Sequence, residues 1–253
     1  MPPPLAIVRP PGDTFARAIS THPGRGSIDP SRARAQHRDY ANALKQAGAE
    51  VLPLEPLVSF PDSVFIEDNA VILEGRAWLC NASAPSRRGE AEFLRPVLEK
   101  LLPVETLPAE VLIDGGDVLA TDSAVFIGQS SRTHRAAVDF FRERLSLPVI
   151  PVPVTGTLHL KTAACWLGGN RLLLHSPALE TAAFKSFEQI AVAADEAYAA
   201  NGLLIGGTFL MPAGFSRLQQ RIEAAGVTVR SVEMSEFEKA DGGITCLSLI
   251  LLR

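Results

Sequence analysis

Cysteine, histidine and carboxylate side chains, which together can form a thiol-based catalytic site, occur in short, distinctive stretches of this sequence. Cys246 lies near the C-terminus in "ADGGITC", His159 lies in "TGTLHLKTA", and Asp114 and Asp117 lie in "IDGGDV". A cysteine thiolate is a nucleophile, an imidazole can act as general acid and base, and a carboxylate can orient that imidazole. Spacing alone does not decide between this site and a buried structural cysteine, because free cysteine is among the most buried residue types.

The loop before Cys246 has features that favour a functional loop over a plain buried strand. Gly242 and Gly243 have no Cβ, so the backbone can turn sharply there or approach another group closely. Asp241 adds a charge to the same loop. Either a sharp turn or a close backbone contact is therefore possible at this position.

Two adjacent acids lie in an apolar setting. Glu67 and Asp68, in "PDSVFIEDNA", have apolar residues on both sides. Strict alternation along a strand would send the two side chains to opposite faces, so both can reach one ligand only if the strand bulges or breaks. Clustered carboxylates need a cation among them. A metal ion and a guanidinium or ammonium substrate are both candidates, although the spacing is not that of a calcium loop.

Arginines at two predicted loop-to-helix junctions could bind the opposite charge. Arg87 and Arg88 lie in "APSRRGE", and Arg132 lies in "QSSRTHR". Arginine beside a helix N-terminus is well suited to bind a carboxylate, which accepts forked hydrogen bonds. Carboxylates for one end of a ligand and arginines for the other would suit an amino acid with a cationic side chain.

A pattern of two strands followed by a helix recurs along the chain and would position these residues. Residues 64–80 predict two strands joined by a turn at Glu74 and Gly75. The apolar spacing of residues 87–102 predicts the helix that follows, although it contains Pro96. The same order of strands and then helix is predicted at 111–128 and 133–145, at 158–176 and 178–199, and at 202–212 and 215–226.

His159 belongs to one of these predicted hairpins. Alternation along "TGTLHLKTA" would place Thr157, His159 and Lys161 on one face of a strand, with leucines on the other. Because that face is the more polar one, we expect the imidazole to be accessible.

The two ends of the chain supply a fifth unit. A strand near 244–252 could pair with a strand at 5–9, and residues 31–48 predict the helix of this unit, with Asp29 as its N-cap. Five units with a period of roughly 50 residues predict a single α/β domain over residues 1–253, in which the units form a closed ring. A plain α/β sandwich with irregular repeats is the other prediction that this pattern allows.

The composition excludes several classes of protein. The 253 residues are 47% hydrophobic and 21% charged, with a net charge of −4, which is typical of a soluble globular protein and argues against nucleic acid as the main partner. The three cysteines are too far apart for a metal-finger motif. Their odd number and the lack of a recognisable signal peptide predict a cytoplasmic protein. No apolar stretch reaches the ~18 residues that a membrane span needs.

Six motifs resemble, in this order, those of the dimethylarginine dimethylaminohydrolase family: "PDSVFIEDNAVI", "APSRR", "IDGGDVL", "SSRT", "LHLKTA" and "DGGITC". This family belongs to the guanidine-modifying superfamily, whose fold is a five-bladed, pseudo-fivefold α/β propeller of the pentein type, built of ββαβ-like units. The resemblance extends over essentially the whole chain. It implies an enzyme that needs no metal and no organic cofactor.

The resemblance also implies a role for each candidate residue. Cys246 would attack the guanidinium carbon of a methylated arginine, His159 would protonate the leaving amine and then activate water, and Asp114 would orient the histidine. Hydrolysis of the S-alkylthiouronium intermediate would release citrulline. The implied substrate-binding residues are Glu67, Asp68 and Asp241 at the guanidinium, Asp62 at the α-amino group, Arg87 and Arg132 at the α-carboxylate, and Phe15 in a loop that closes over the substrate.

Two departures from the family pattern leave the preferred substrate open. Family members often have a bulkier residue beside the first glycine where this chain has Gly242 and Gly243, and a leucine is common where it has Phe15. The same scaffold could therefore act as an arginine deiminase or hydrolyse citrulline, and a non-catalytic methylarginine-binding protein is a third alternative. The expected partner is a small guanidino amino acid, with no nucleic acid and no membrane, and exposed blade edges would allow a homodimer.

Overall fold

The computed structural model describes residues 2–252, and its strands form five sheets of three strands each. In every sheet the central strand pairs antiparallel with one neighbour and parallel with the other. The same topology therefore occurs five times in the described part of the chain. This repetition confirms the prediction of five ββαβ-like units.

The strands are short, and the predicted turn at Glu74 and Gly75 joins two of them into a hairpin. The strands are β1 (Leu5–Val8), β2 (Glu50–Pro53), β3 (Ala70–Leu73), β4 (Arg76–Leu79), β5 (Val104–Thr106), β6 (Val118–Ala120), β7 (Val125–Gln129), β8 (Val149–Pro153), β9 (Ala164–Trp166), β10 (Arg171–Leu174), β11 (Glu188–Ala191), β12 (Leu203–Ile205), β13 (Thr208–Pro212), β14 (Thr228–Val232) and β15 (Ser248–Leu251). They form the sheets β15–β1–β2, β3–β4–β5, β6–β7–β8, β9–β10–β11 and β12–β13–β14. The pairing of β15 with β1 confirms that the two ends of the chain complete one unit.

Most of the helices are short. The α-helices are α1 (Pro30–Gln46), α2 (Arg95–Leu98), α3 (Arg135–Arg142), α4 (Leu160–Ala163), α5 (Ser216–Ala224) and α6 (Ser235–Glu238). The 3₁₀ helices are Asp13–Arg17, Arg25–Ser27, Ile66–Asn69, Pro85–Arg87, Glu90–Phe93, Gly115–Asp117, Ser176–Ala178, Thr181–Phe184, Ala194–Ala200 and Thr245–Leu247. Every helix of the described residues is too short or too polar to span a bilayer.

The chain divides into two compact units. The first comprises Met1–Ile66 and Asp195–Arg253, and the second comprises Glu67–Ala194. The first unit contains the sheets β15–β1–β2 and β12–β13–β14, and the second contains the other three. The prediction that 1–253 is a single domain stays a prediction, and the two terminal residues of that range lie outside the described part.

Helix α1 forms where its local signals predicted it. The Asp29 side chain accepts hydrogen bonds from the N–H groups of Ser31 and Arg32, at 2.8 and 3.3 Å, so it caps the first turn. On the inner face of the helix, Tyr40 and Leu44 are fully buried in the hydrophobic core of the first unit. Full burial of an apolar side chain of this size contributes about 1.5–3 kcal/mol, so packing holds α1 more firmly than its cap does.

Two predicted helices are wrong. In the segment 87–102, Gly89 has a left-handed φ of 90° and Pro96 lies in the first turn of α2, so a single helix is replaced by a 3₁₀ helix and the four residues of α2. In the segment 178–199, the alanine-rich sequence forms two 3₁₀ helices with β11 between them. Parallel pairing of β11 with β10 there outweighs the helix propensity of alanine.

A buried neutral histidine makes the stability of the first unit sensitive to acid. The side chain of His37 in α1 is 4% exposed, and its Nε2 atom has no hydrogen-bond partner among the described residues. Burial lowers the pKa of His37 from an ordinary 6.5 to about 4. The folded protein therefore keeps this imidazole neutral at a pH where the unfolded chain protonates it.

We expect His37 to cost stability on acidification. The pKa of His37 is lower in the folded state than in the unfolded chain. The contribution of the neutral imidazole to the unfolding free energy is therefore complete above pH 6.5 and is lost progressively as the pH falls towards 4. Between pH 7.5 and pH 5, the wild type should lose about 2 kcal/mol more unfolding free energy than His37→Leu. Urea denaturation at the two pH values measures this difference. The same replacement at the exposed His134 is the control, and equal losses in wild type and His37→Leu would contradict the prediction.

Candidate active site

In the first unit, Cys246 ends a tight loop, residues 241–246, that we call the cysteine loop. The residue belongs to the 3₁₀ helix Thr245–Leu247, directly before β15. Its side chain is buried, and its Sγ accepts a hydrogen bond from the N–H of Gly243 at 3.4 Å. A backbone donor directed at sulfur favours the thiolate over the thiol.

Both glycines of the cysteine loop lie directly against other side chains. A Cβ at Gly242 would overlap the ring of Phe65, and a Cβ at Gly243 would lie 2.5 Å from the amide carbon of Asn201. Of the two possibilities that the glycine pair left open, the structure has the close backbone approach. Asn201 occupies the space that a bulkier residue at position 243, beside the first glycine, would need, which is a physical reason for the departure from the family pattern.

Two acids predicted as substrate ligands hold the segment around residue 20. Asp241 adopts a left-handed φ of 56°, and its Oδ2 accepts the N–H of Thr21 at 2.6 Å. Asp62 is buried, and its Oδ1 accepts the N–H of Ile19 at 3.0 Å. Both carboxylates therefore bind backbone donors of the same segment.

Phe15, the third predicted substrate contact of this unit, is fully buried. Its ring packs against Phe65 and Phe237, with centroid distances of 6.0 and 5.5 Å. The structure therefore places Phe15 in the hydrophobic core of the first unit, and its contact with a ligand stays a prediction.

In the second unit, the predicted strand around His159 is wrong. Residues 155–159 form a loop, and α4 begins at Leu160. The Leu160 N–H donates to Oδ1 of Asp117 at 2.8 Å, so a buried carboxylate holds the start of the helix where alternation predicted a strand. The expected accessible imidazole is also wrong, because the side chain of His159 is buried.

The chain does break at Glu67 and Asp68, as a shared site would require. Residues Ile66–Asn69 form a 3₁₀ helix directly before β3. Glu67 accepts a hydrogen bond from Nζ of Lys161 at 2.6 Å. Asp68 accepts one from Nη1 of Arg87 at 2.7 Å and another from the N–H of Gly116 at 3.0 Å. The two neighbouring carboxylates therefore have different basic partners.

Asp68, Arg87, Asp114, Asp117 and His159 form a buried group that we call the acid–imidazole cluster. Nε2 of His159 lies 3.1 Å from Oδ2 of Asp114. Burial by itself would lower the pKa of His159, but the charges of Asp68, Asp117 and Asp114 and the hydrogen bond to Asp114 raise it to about 9. Burial likewise opposes ionisation of Asp68, but the positive charges of His159 and Arg87 hold its pKa below the usual value. The imidazole is therefore protonated at neutral pH.

Asp117, the other acid that the sequence offered as a partner of the imidazole, bonds to neighbouring segments instead. Its Oδ1 accepts the Leu160 N–H, and its Oδ2 accepts the hydroxyl of Ser130 at 2.6 Å. Burial raises the pKa of Asp117. Gly128 lies so close that a Cβ there would overlap Oδ1 of Asp117. Asp117 thus fixes the backbone that follows His159.

The two arginines predicted at a carboxylate already face acids. Nη2 of Arg87 donates to Glu90 at 2.8 Å in addition to the bond from Nη1 to Asp68, and these two charges raise the pKa of Arg87 against the effect of burial. Nη1 of Arg132 lies 3.7 Å from Oδ2 of Asp114. Glu90 was not predicted as a partner of Arg87. Its only indication in the sequence is that it lies three residues after this arginine.

Gly115 and Gly116, the glycines of "IDGGDV", allow the groups of the acid–imidazole cluster to lie close together. A Cβ at Gly115 would overlap the carbonyl oxygen of Glu67. A Cβ at Gly116 would lie 2.7 Å from Nδ1 of His159 and 2.9 Å from Oδ1 of Asp68. A side chain at Gly115 would have to move the backbone of Glu67, and one at Gly116 would have to move the imidazole or Asp68.

Three groups of this cluster have the geometry of metal ligands. Asp68, Asp114 and His159 each offer one ligand atom, and these atoms lie within 4.8 Å of one another. Oδ1 of Asp114 is buried without a hydrogen-bond partner among the described residues. A metal ion there would have to displace the proton of His159 and compete with Arg87 for Asp68.

Comparison with known proteins places the chain in a family. The profile described as "N,N dimethylarginine dimethylhydrolase, eukaryotic" matches residues 13–176. The N(G),N(G)-dimethylarginine dimethylaminohydrolase of Pseudomonas aeruginosa is 33% identical over 229 residues, which cover 88% of this chain and 90% of that protein. The chain belongs to the dimethylarginine dimethylaminohydrolase family. The family that the six motifs predicted is thereby confirmed.

Solved structures of dimethylarginine dimethylaminohydrolases have the same fold. The Pseudomonas aeruginosa enzyme, as a cysteine-to-serine mutant complexed with citrulline, matches with a TM-score of 0.94 at 30% identity over 99% of this chain and all of that chain. An adduct of a family member with S-methyl-L-thiocitrulline matches with a TM-score of 0.93 at 30% identity, over 98% and 99% of the two chains. The predicted fold class, a five-bladed α/β propeller of the pentein type, is confirmed.

We expect His159 to stay protonated up to about pH 9 and Asp68→Asn to lower its pKa by about one unit or more. Burial disfavours the imidazolium, and the carboxylate of Asp68 is the strongest of the charges that oppose this effect. An NMR titration of the imidazole signals in wild type and variant measures the shift. Asp122→Asn, at an exposed position outside the cluster, is the control, and an unchanged His159 pKa in Asp68→Asn would contradict the prediction.

Proposed function

We propose that this protein hydrolyses Nω-methylated arginines, namely asymmetric dimethylarginine and monomethylarginine, to L-citrulline and dimethylamine or methylamine. The observation that carries this proposal is the buried, protonated His159 bonded to Asp114, because an amine leaving group needs an acid. Family membership and the citrulline bound by the Pseudomonas aeruginosa relative support the same reaction.

In the first step, Cys246 acts as the nucleophile. The lone pair of its thiolate attacks the guanidinium carbon, and a C–S bond forms. The C–N bond to the methylated nitrogen then breaks, and His159 gives its proton to the departing amine. The products of this step are free dimethylamine or methylamine and an S-alkylthiouronium on Cys246. The thiocitrulline adduct of a relative supports covalent chemistry of this kind.

In the second step, water replaces the sulfur. Neutral His159 takes a proton from the water as its oxygen attacks the thiouronium carbon. The C–S bond breaks, and its electron pair returns to Sγ of Cys246 as the thiolate. The remaining hydroxyl proton leaves as the carbonyl of citrulline forms, and it ends on the released amine as an ammonium ion. Thiolate and imidazolium are both restored, so the cycle is balanced.

The proposed substrate contacts follow the charges of the ligand. The acids proposed at the guanidinium are Glu67, Asp68 and Asp241, that at the α-amino group is Asp62, the arginines at the α-carboxylate are Arg87 and Arg132, and Phe15 is proposed in the closing loop. Since Arg87 is already bonded to Asp68 and Glu90, a substrate carboxylate at that position would share it with these acids.

We propose a cytoplasmic location and a small-molecule partner. In the described part of the chain, Cys80, Cys165 and Cys246 form no disulfide bond, which is typical of proteins in reducing compartments. The net charge of −4 supports a ligand other than nucleic acid. A homodimer stays a prediction, which light scattering of the purified protein tests directly.

Citrulline release from asymmetric dimethylarginine, monomethylarginine and arginine tests the proposal. We expect turnover of the methylated substrates by wild type and a loss of at least ~10³-fold in kcat for Cys246→Ala, because the nucleophile is removed. Cys165→Ala is the matched control, because this cysteine lies in β9 and takes no part in the proposed reaction.

Each of the other outcomes of this substrate test would indicate a different function. Release of citrulline from arginine alone would replace the proposal with arginine deimination, and consumption of citrulline would replace it with citrulline hydrolysis. If wild type bound dimethylarginine without turnover, and Cys246→Ser bound it equally well, the chain would be a methylarginine-binding protein.

A further inference from the structure

A buried asparagine holds the cysteine loop at the residue before Cys246. Asn201 follows the 3₁₀ helix Ala194–Ala200, and its side chain is buried. Its Oδ1 accepts the N–H of Thr245 at 2.9 Å, and its Nδ2 donates to Oγ1 of Thr245 at 3.1 Å. The amide thus binds both the backbone and the side chain of Thr245.

The same amide is the surface against which Gly243 packs. A Cβ at Gly243 would lie 2.5 Å from both the amide carbon and Oδ1 of Asn201, so the glycine backbone rests directly on this group. The N–H of Gly243 donates to Sγ of Cys246. Asn201 therefore contacts the residue that supplies the donor and the residue that precedes the sulfur.

A tyrosine from the same 3₁₀ helix holds the other side of the loop. The hydroxyl of Tyr198 donates to the carbonyl oxygen of Gly242 at 2.8 Å. Burial raises the pKa of Tyr198 well above its usual value, so the phenol remains a neutral donor. Tyr198 and Asn201 are three residues apart, and together they bond to the cysteine loop at Gly242 and Thr245.

We propose that Asn201 and Tyr198 are positioning residues that hold the Gly243 N–H against Sγ of Cys246 and thereby favour its thiolate. This inference rests on the proposed role of Cys246 as nucleophile. Without the amide of Asn201, the N–H of Thr245 loses this acceptor and Gly243 loses its packing surface, so the loop relaxes and the donor moves away from the sulfur.

The reactivity of Cys246 towards iodoacetamide as a function of pH tests this proposal without using turnover. The alkylated cysteine is identified by peptide mass, so that Cys80 and Cys165 do not interfere. We expect Asn201→Ala to raise the midpoint of the pH profile by about one unit and to slow alkylation at pH 7 about tenfold, because less of the thiol is ionised. In Tyr198→Phe, which removes a single hydroxyl, we expect a smaller shift in the same direction, with a fall in kcat and little change in KM.

Three further variants separate positioning from general stability. Thr245→Ser keeps both hydrogen bonds to Asn201 and should keep the wild-type midpoint. Leu44→Ala removes a fully buried side chain from the core of the same unit, so it should lower the melting temperature without moving the midpoint. Asn170→Ala removes an exposed amide that donates to the carbonyl oxygen of Ser186 in the second unit, and it should change neither property.

The outcomes distinguish this inference from the proposed function. Asn201→Ala and Tyr198→Phe could lower the melting temperature but leave kcat and the midpoint of the alkylation profile unchanged. That result would overturn the positioning role. If Asn201→Ala did not fold, an unshifted midpoint in Tyr198→Phe would overturn it equally. A shifted midpoint in variants of a wild type that releases no citrulline would support the positioning role and overturn the proposed reaction.

Discussion

The arrangement of the second unit depends on the burial of a protonated imidazole among carboxylates. Burial alone would drive the proton from His159, but Asp68, Asp114 and Asp117 surround the ring and raise its pKa to about 9. The carboxylates need compensation in turn, which Arg87 supplies to Asp68. Loss of one partner would leave an uncompensated buried charge, at a cost of about 3–5 kcal/mol. Each charge of the cluster is therefore stabilised by the others.

Charged groups approach so closely because the backbone between them lacks side chains. The sequence acid–Gly–Gly occurs in both units, and in each it brings a loop against other groups at distances that a Cβ would forbid. Gly116 leaves room for His159 and Asp68, and Gly243 leaves room for Asn201. Glycine costs backbone entropy on folding, and here that cost is offset by the contacts that only glycine permits.

Elements with strong local signals could be predicted from the sequence. The cap at Asp29 and the apolar face of α1 define that helix, and the turn at Glu74 and Gly75 defines a hairpin, since each signal acts over a few residues. Predictions of secondary structure failed where contacts with residues elsewhere in the sequence outweighed the local secondary-structure propensity. Part of the alanine-rich segment forms β11, which pairs with β10, where a helix was predicted. The residue after His159 begins a helix because its N–H donates a hydrogen bond to a carboxylate 43 positions earlier in the chain.

The sequence by itself determined the types and order of the chemical groups, the fivefold repetition, and the family. Only the tertiary structure decided which groups meet. Asp114 and Asp117 are three residues apart and equally suited to His159 by composition, but the packing of their loop turns Asp114 to the imidazole and Asp117 to the backbone. Asn201 carries no local signal, because its partner Thr245 lies 44 residues away. Hydrogen bonds over such separations depend on how the sheets and loops pack, and local spacing does not encode that packing.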